Sequence, residues 1–182
     1  MFKTFLAILL LAVNNLNCSP VSFSEISGKV IKIVDGDTYD LFLKNNTTIR
    51  IRMAGIDAPE RGMPFYKVAK DYLGKLCFGK QINLELMEKD RYGRYIAYSF
   101  LENKTELSHE MIKAGMAWHF KKYSSDTVLS QLEIVARKSK LGLWADENPM
   151  PPWENRRLHK KGISTGMFAK DNSSLGSESV EK

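Results

Sequence analysis

Three consecutive segments between Gly28 and Ala54 have the apolar pattern of β-strands, and in the third of them apolar and polar side chains alternate strictly. The segments read KVIKIV, YDLFL and TIRIRMA, and the stretches DGDT and KNNT between them are rich in residues typical of tight turns. In the third segment the apolar residues share one face, so Arg50 and Arg52 lie on the opposite face. Two cations therefore point the same way.

The pattern changes to a helical period after the loop GIDAPERGMP. Apolar residues from Phe65 to Leu76 recur at intervals of three and four, which predicts a helix of about four turns that stops at Gly79. QINLELM alternates again, and YIAYSFL follows as its partner strand, so the two predict a β-hairpin with EKDRYGR as its tip. Cys77 follows the helical pattern and is interpreted as a buried apolar residue rather than a nucleophile.

Two more helices are predicted towards the end of the chain. LSHEMIKAG indicates a short helix that ends at Gly115, and SDTVLSQLEIVARKSKLG a longer one that ends at Gly142. Ser125 and Asp126 are both suitable N-caps for the longer helix. Five strands, with a helix after the third and helices at the end, predict an α+β fold on a small barrel of the oligonucleotide-binding type.

Length and composition favour one folded domain. The chain has 182 residues, a hydrophobic fraction of 43% and a net charge of +6, and the positive charge favours an anionic partner such as nucleic acid or an acidic surface. The sequence predicts one domain over residues 23–150. Prolines, basic residues and finally DNSSLGSESVEK follow, so residues 151–182 are expected to be a poorly ordered polar tail.

Residues 1–22 have the character of an export signal. Lys3 precedes an apolar run that is too short to span a bilayer as a stable helix. We therefore expect an exported protein that is secreted, periplasmic or held in the cell envelope. Cys18 either is lost with the signal or carries a lipid anchor, as in bacterial lipoproteins. In both cases Cys77 has no partner for an intramolecular disulfide in the folded part.

Acidic residues occur in two turns and arginines lie close by in sequence. Asp35 and Asp37 belong to VDGDT, where aspartate and glycine are common for backbone reasons alone. Asp57 and Glu60 belong to GIDAPE, where acids could serve solubility only. However, aspartates are suitable ligands for a calcium-like ion, a free glutamate can accept a proton from water, and guanidinium groups match the oxygens of a phosphodiester.

VDGDT, IRIRMAGIDAPE and DRYGR, in this order, resemble the thermonuclease (staphylococcal nuclease) family. The similarity extends from about Gly28 to Trp144 and includes AGMAW and KLGLW. It implies a five-stranded oligonucleotide-binding barrel with three helices, and a calcium-dependent secreted nuclease that acts on DNA and RNA. It also implies cleavage between phosphorus and the 5′ oxygen, which leaves 3′-phosphate ends.

The resemblance assigns the metal site to one Ca²⁺ ion per domain. It implies that the side chains of Asp37 and Asp57 are ligands, together with the main-chain carbonyl of Ala58. The type member has threonine at the position of Ala58. Because the expected contact is a backbone oxygen, this change is compatible with binding.

The resemblance also assigns three catalytic side chains. Glu60 takes the position of the glutamate that activates water, while Arg52 and Arg94 take those of the two catalytic arginines. Tyr123 matches one of two tyrosines that lie near the nucleotide in the type member, and Lys121 replaces the other, so phosphate attraction would partly replace stacking.

Tyr92 is equally compatible with substrate binding and with packing in the hairpin. Several nearby residues are expected to belong to the core or to close the barrel rather than to act in chemistry: Trp118, His119, Phe120 and Trp144.

Two other functions remain as alternatives. The barrel could be a nucleic-acid-binding module without catalysis, although the complete set of acids and arginines argues against this. It could also be a surface lipoprotein whose basic face holds acidic polymers, which depends on Cys18. We expect a monomer with nucleic acid as its substrate and no stable protein partner.

Overall fold

The computed structural model describes residues 26–163, and its centre is a closed barrel of five strands. In chain order the strands are β1 (Ile26–Ile33), β2 (Thr38–Leu43), β3 (Thr48–Met53), β4 (Ile56–Asp57), β5 (Gln81–Lys89), β6 (Tyr95–Leu101) and β7 (Trp118–His119). The barrel contains all of these except β4 and β7. These strands pair in the order β1-β2-β3-β6-β5, and β5 closes the barrel by pairing with β1. Neighbouring strands are antiparallel except β3 and β6, which are parallel. A separate antiparallel pair is formed by β4 and β7.

Helices cover and flank the barrel, so the predicted α+β fold on an oligonucleotide-binding barrel is confirmed. Three helices were implied by the resemblance, whereas the described residues contain four α-helices and one short 3-10 helix. The helices are α1 (Tyr66–Cys77), α2 (Leu107–Lys113), α3 (Thr127–Lys138), the 3-10 helix (Gly142–Ala145) and α4 (Pro152–Lys160).

The end of α3 differs from the prediction. The helix stops at Lys138 instead of Gly142, because the chain turns at Lys140, which has a positive φ of 50°. Gly142 begins the 3-10 helix and lies against the backbone of Gly115, where a Cβ would come within 2.4 Å of the Gly115 carbonyl oxygen. Only glycine fits at such a close approach.

The barrel interior is apolar and encloses a buried hydrogen bond. The Tyr39 hydroxyl donates to Ser99 Oγ at 2.8 Å, so this polar group is satisfied inside the core. Cys77 is fully buried, as predicted, and burial raises the pKa of its thiol to about 12. A smaller cluster includes Trp118 and Trp144, whose rings meet edge to face at 5.4 Å.

The segment after residue 150 also differs from the prediction, because the expected poorly ordered tail begins with α4. Pro152 stands at the start of the helix, where its missing N–H costs nothing, and Glu154 lies in the first turn. Trp153 stacks on Phe120 with ring centroids 5.3 Å apart and planes 3° from parallel, which fixes α4 against the rest of the protein. Residues 164–182 lie outside the described residues.

The N-terminal expectations also fall outside the described residues. They concern the export signal over residues 1–22 and the lipid anchor on Cys18. None of the helices in residues 26–163 combines the length and the apolar character of a membrane-spanning helix.

The structure distinguishes the two candidate caps of α3. The side chain of Asp126 accepts hydrogen bonds from the amides of Val128 and Leu129 at 2.7 and 3.2 Å, and Ser125 is exposed. We expect Asp126→Ala to lower the free energy of unfolding by about 1 kcal/mol. The matched Ser125→Ala change should leave it within about 0.5 kcal/mol of the original value. Urea unfolding followed by circular dichroism measures both, and equal losses would contradict the assigned cap.

Candidate active site

The turn between β1 and β2 presents two aspartates to a surface cleft. The amide of Asp37 donates to Asp35 Oδ1 at 3.1 Å, and Asp37 Oδ2 accepts the amide of Ala58 at 2.7 Å. Between the two aspartates, a Cβ on Gly36 would lie within 2.9 Å of the side chains of Ala58 and Ala69. Glycine therefore lets the acidic turn pack directly against α1 and the loop after β4.

Asp57 reaches the same cleft from β4. Its backbone pairs with Trp118 of β7, and the residue is almost completely buried, with an exposed fraction of 2%. Arg52 lies on β3, and its Nη2 atom donates to Asp57 Oδ1 at 2.9 Å and is 3.1 Å from Asp37 Oδ2. One guanidinium nitrogen therefore bridges two buried carboxylates.

Burial and mutual repulsion disfavour the charged forms of the acids around this bridge. Burial, together with the neighbouring Asp37, raises the pKa of Asp35 to about 7. Burial also raises the pKa of Asp57, and Asp37 adds to this effect although Arg156 and Arg52 oppose it. A cation in contact with these oxygens would relieve the repulsion between them.

The donor set fits a hard cation such as calcium. Asp37 and Asp57 supply carboxylate oxygens, and Arg52 Nη2 marks a position from which a single cation contacts both. Among residues 26–163, no group of three or more His, Cys, Asp or Glu side chains is arranged to hold a metal ion. Further ligands would therefore be main-chain oxygens or water, and the role of the Ala58 carbonyl stays a prediction.

Glu60 is not free, contrary to the expectation from sequence. Arg156 of α4 donates from Nη1 to Glu60 Oε1 at 2.5 Å and from Nη2 to Asp57 Oδ2 at 2.7 Å. Burial alone would lower the pKa of Arg156, but its bonds to the two carboxylates raise it above the usual value. The guanidinium is therefore a permanent cation beside Glu60.

Arg94 is fixed at the tip of the β5–β6 hairpin. Asp90 Oδ1 accepts the amides of Tyr92 and Arg94 at 2.9 and 3.0 Å, and Asp90 Oδ2 accepts Arg94 Nε at 2.8 Å. Two residues further along, Ile96 pairs with Arg52 across the parallel strands β3 and β6. The register of these strands therefore brings Arg52 and Arg94 to the same cleft, and both side chains line it.

The three predicted substrate-binding residues line this cleft as well. Tyr92 and Tyr123 are 70% and 68% exposed, so each presents a ring to solvent. Lys121 lies 3.5 Å from the buried carboxylate of Glu133, while most of its side chain is exposed. Their positions are compatible with substrate contact, and their role remains a prediction.

Trp118, His119 and Trp144 are buried, which agrees with their predicted structural role. Both ring nitrogens of His119 are used, by the hydroxyls of Ser124 at 3.1 Å and Ser130 at 3.0 Å. Burial lowers the pKa of His119, so its ring is held neutral. The remaining residue of this group, Phe120, is only partly buried and packs under Trp153 of α4.

Arg156 is the site residue that sequence reasoning missed. PPWENRRLHK contains a signal for it, because proline at a helix start, an acid in the first turn and bases in the last turn predict a short helix. The sequence does not indicate where that helix packs. Glu60 and Arg156 are 96 residues apart, so their contact depends on the tertiary fold.

Comparison with known proteins relates the chain to one family. The profile of the family described as "Staphylococcal nuclease homologue" matches residues 50–146. A protein of Escherichia coli O157:H7 named "Uncharacterized endonuclease" is 35% identical over 134 residues, which are 74% of this chain and 87% of the relative. A Haemophilus influenzae protein with the same name is 41% identical over 132 residues, or 72% of this chain and 74% of the relative.

A "Micrococcal nuclease" of Shigella flexneri is 38% identical over 153 residues, and the match covers 79% of this chain and 87% of the relative. The matches extend over most of both chains, and the segment that the family profile matches contains Arg52, Asp57, Glu60 and Arg94. The chain belongs to the family of staphylococcal nuclease homologues.

Proposed function

We propose that this chain is an exported, calcium-dependent endonuclease that hydrolyses phosphodiester bonds in DNA and RNA. The observation that carries the proposal is the cleft in which Arg52, Arg94 and Glu60 surround two buried aspartates. The nuclease names of the relatives support the same reaction class. Export is proposed from residues 1–22 alone.

Arg52 and Arg94 would bind the phosphate that is cleaved. Planar guanidinium groups match phosphate oxygens with paired donors, and they stabilise the charge that develops on these oxygens during attack. Asp90 accepts the Nε atom of Arg94, and within residues 26–163 the terminal nitrogens of Arg94 have no ion pair, so they remain available to a phosphate. Substrate would contact these arginines from the open side of the cleft.

Glu60 would accept the proton of the attacking water. Its side chain is 39% exposed, so water reaches it from the cleft. The family resemblance assigns the broken bond to phosphorus and the 5′ oxygen. The products are then expected to carry 3′-phosphate ends.

Asp37 and Asp57 would hold the calcium ion, with the Ala58 carbonyl as a further ligand. When bound, this ion would supply positive charge that stabilises the anionic transition state. There is a physical reason for a cation here, because turning Arg52 towards a phosphate leaves two buried carboxylates without their bridge.

Nuclease activity and its metal dependence can be tested together. The purified protein is incubated with single-stranded DNA or RNA, in calcium or in excess chelator, and fragment lengths and ends are determined. We expect both polymers to be shortened with 3′-phosphate ends in calcium, and no cleavage in chelator. Intact substrate in calcium would contradict the enzyme, and retained binding would then indicate a non-catalytic module. Cleavage in chelator would exclude the metal role of Asp37 and Asp57.

The role of Arg94 can be separated from its contribution to folding. Arg94→Ala should lower kcat about a hundredfold or more, because a donor to the transition state is lost. The free energy of unfolding should change by less than about 0.5 kcal/mol, since Asp90 still accepts two backbone amides and the turn persists.

Arg91→Ala is the matched control, because Arg91 is exposed at the same hairpin tip. Its kcat should stay within about twofold of that of the unchanged protein. Equal losses in both variants would indicate that general positive charge, rather than Arg94 itself, supports cleavage. Unfolding of Arg94→Ala would contradict its placement.

A further inference from the structure

We propose that Arg156 is a positioning residue, which holds the carboxylates of Glu60 and Asp57 in a fixed relation and makes α4 part of the active site. The inference rests on the proposed function of this cleft. The family profile ends at residue 146, so neither α4 nor Arg156 is among the residues that it matches.

The two oxygens of Asp57 have different partners. Oδ1 faces Arg52, which also contacts Asp37, whereas Oδ2 accepts Nη2 of Arg156 at 2.7 Å. The contact from Arg156 to Oδ1 is longer, at 3.5 Å. Arg156 therefore orients Asp57 through Oδ2. The position between Asp57 Oδ1 and Asp37 Oδ2, which Arg52 occupies, is left to another cation.

The other half of the guanidinium binds Glu60. Nη1 donates to Glu60 Oε1 at 2.5 Å, so a single rigid plane joins the proposed base to the proposed metal ligand. Glu60 follows Pro59 in a loop, and within the described residues its carboxylate has an ion pair only with Arg156. Without this contact, Glu60 would sample several rotamers away from the attacking water.

Arg156 is carried by an anchored helix. Trp153 lies one turn before it and stacks on Phe120, whose amide donates to the Gly55 carbonyl at 2.8 Å. Gly55 belongs to the turn that leads into β4, and therefore to the segment that carries Asp57. The same short stretch of chain thus positions both Asp57 and the helix whose arginine binds it.

The neighbouring Arg157 provides a matched control. It is exposed and is bonded to Glu154 within the same helix, so its loss removes a similar charge without touching Glu60 or Asp57. Arg156→Lys provides the second comparison. It keeps the charge, but an ammonium group cannot reproduce the planar bridge between two carboxylates.

The experiment measures kcat and KM on single-stranded DNA, and separately the affinity for terbium as a luminescent probe of the metal site in the absence of substrate. Arg156→Ala should lower kcat about tenfold or more, leave KM within about twofold, and weaken terbium binding about tenfold. Arg156→Lys should recover only part of each loss. Arg157→Ala should match the unchanged protein in all three quantities.

Three results would overturn the proposal. Unchanged kcat and terbium affinity in Arg156→Ala would show that the contacts do not position the carboxylates. Tighter terbium binding would identify Arg156 as a competitor of the metal. A raised KM with unchanged kcat would identify a substrate contact instead.

Hydrogen exchange of the α4 amides shows whether each variant keeps the helix docked. If Arg156→Ala releases α4, Arg156→Lys is compared with the unchanged protein instead. Unchanged kcat and terbium affinity in Arg156→Lys would then overturn the proposal. The nuclease function and the positioning role of Arg156 can fail separately. Absence of cleavage by the unchanged protein, with terbium binding that weakens in Arg156→Ala, would refute the nuclease and support positioning.

Discussion

The structure depends on the bridge that Arg52 forms between Asp37 and Asp57. It joins the β1–β2 turn, β3 and β4 at one point, and both carboxylates are almost completely buried. Breaking a buried pair by removal of one partner costs about 3–5 kcal/mol, because the remaining charge is left in a poor solvent. A domain of this size has a total stability of about 5–15 kcal/mol, so a cation at this position accounts for a large part of the stability of the fold.

The barrel determines where this bridge can form. Thr38 lies opposite Arg52 in the β2–β3 pair, which brings the preceding Asp37 next to the guanidinium, and Ile96 lies beside Arg52 on β6. A slip of one residue in β3 would turn Arg52 into the core and Ile51 outwards. The apolar face that fills the barrel therefore also selects the register that assembles the site.

Local patterns were sufficient for much of this architecture. The period of two predicted β3 and the hairpin that carries Arg94, and the period of 3.6 predicted α1 up to Cys77. The missed features depend on contacts that are distant in sequence. α4 is short and polar, and its anchor is Trp153 on Phe120. The turn that ends α3 uses a positive φ at Lys140, which its residue type does not signal.

The ion pairs of Arg52 with Asp37 and Asp57 would couple the binding of the two proposed ligands of the cleft, calcium and nucleic acid. Arg52 neutralises the aspartates and is engaged with them, so a phosphate would compete with the carboxylates for the same guanidinium. A cation on the aspartates would free Arg52 for the phosphate, and a phosphate on Arg52 would free the aspartates for the cation. Linkage requires these two effects to be equal in free energy. On the proposed function, calcium and nucleic acid should therefore bind cooperatively, even where they share no direct contact.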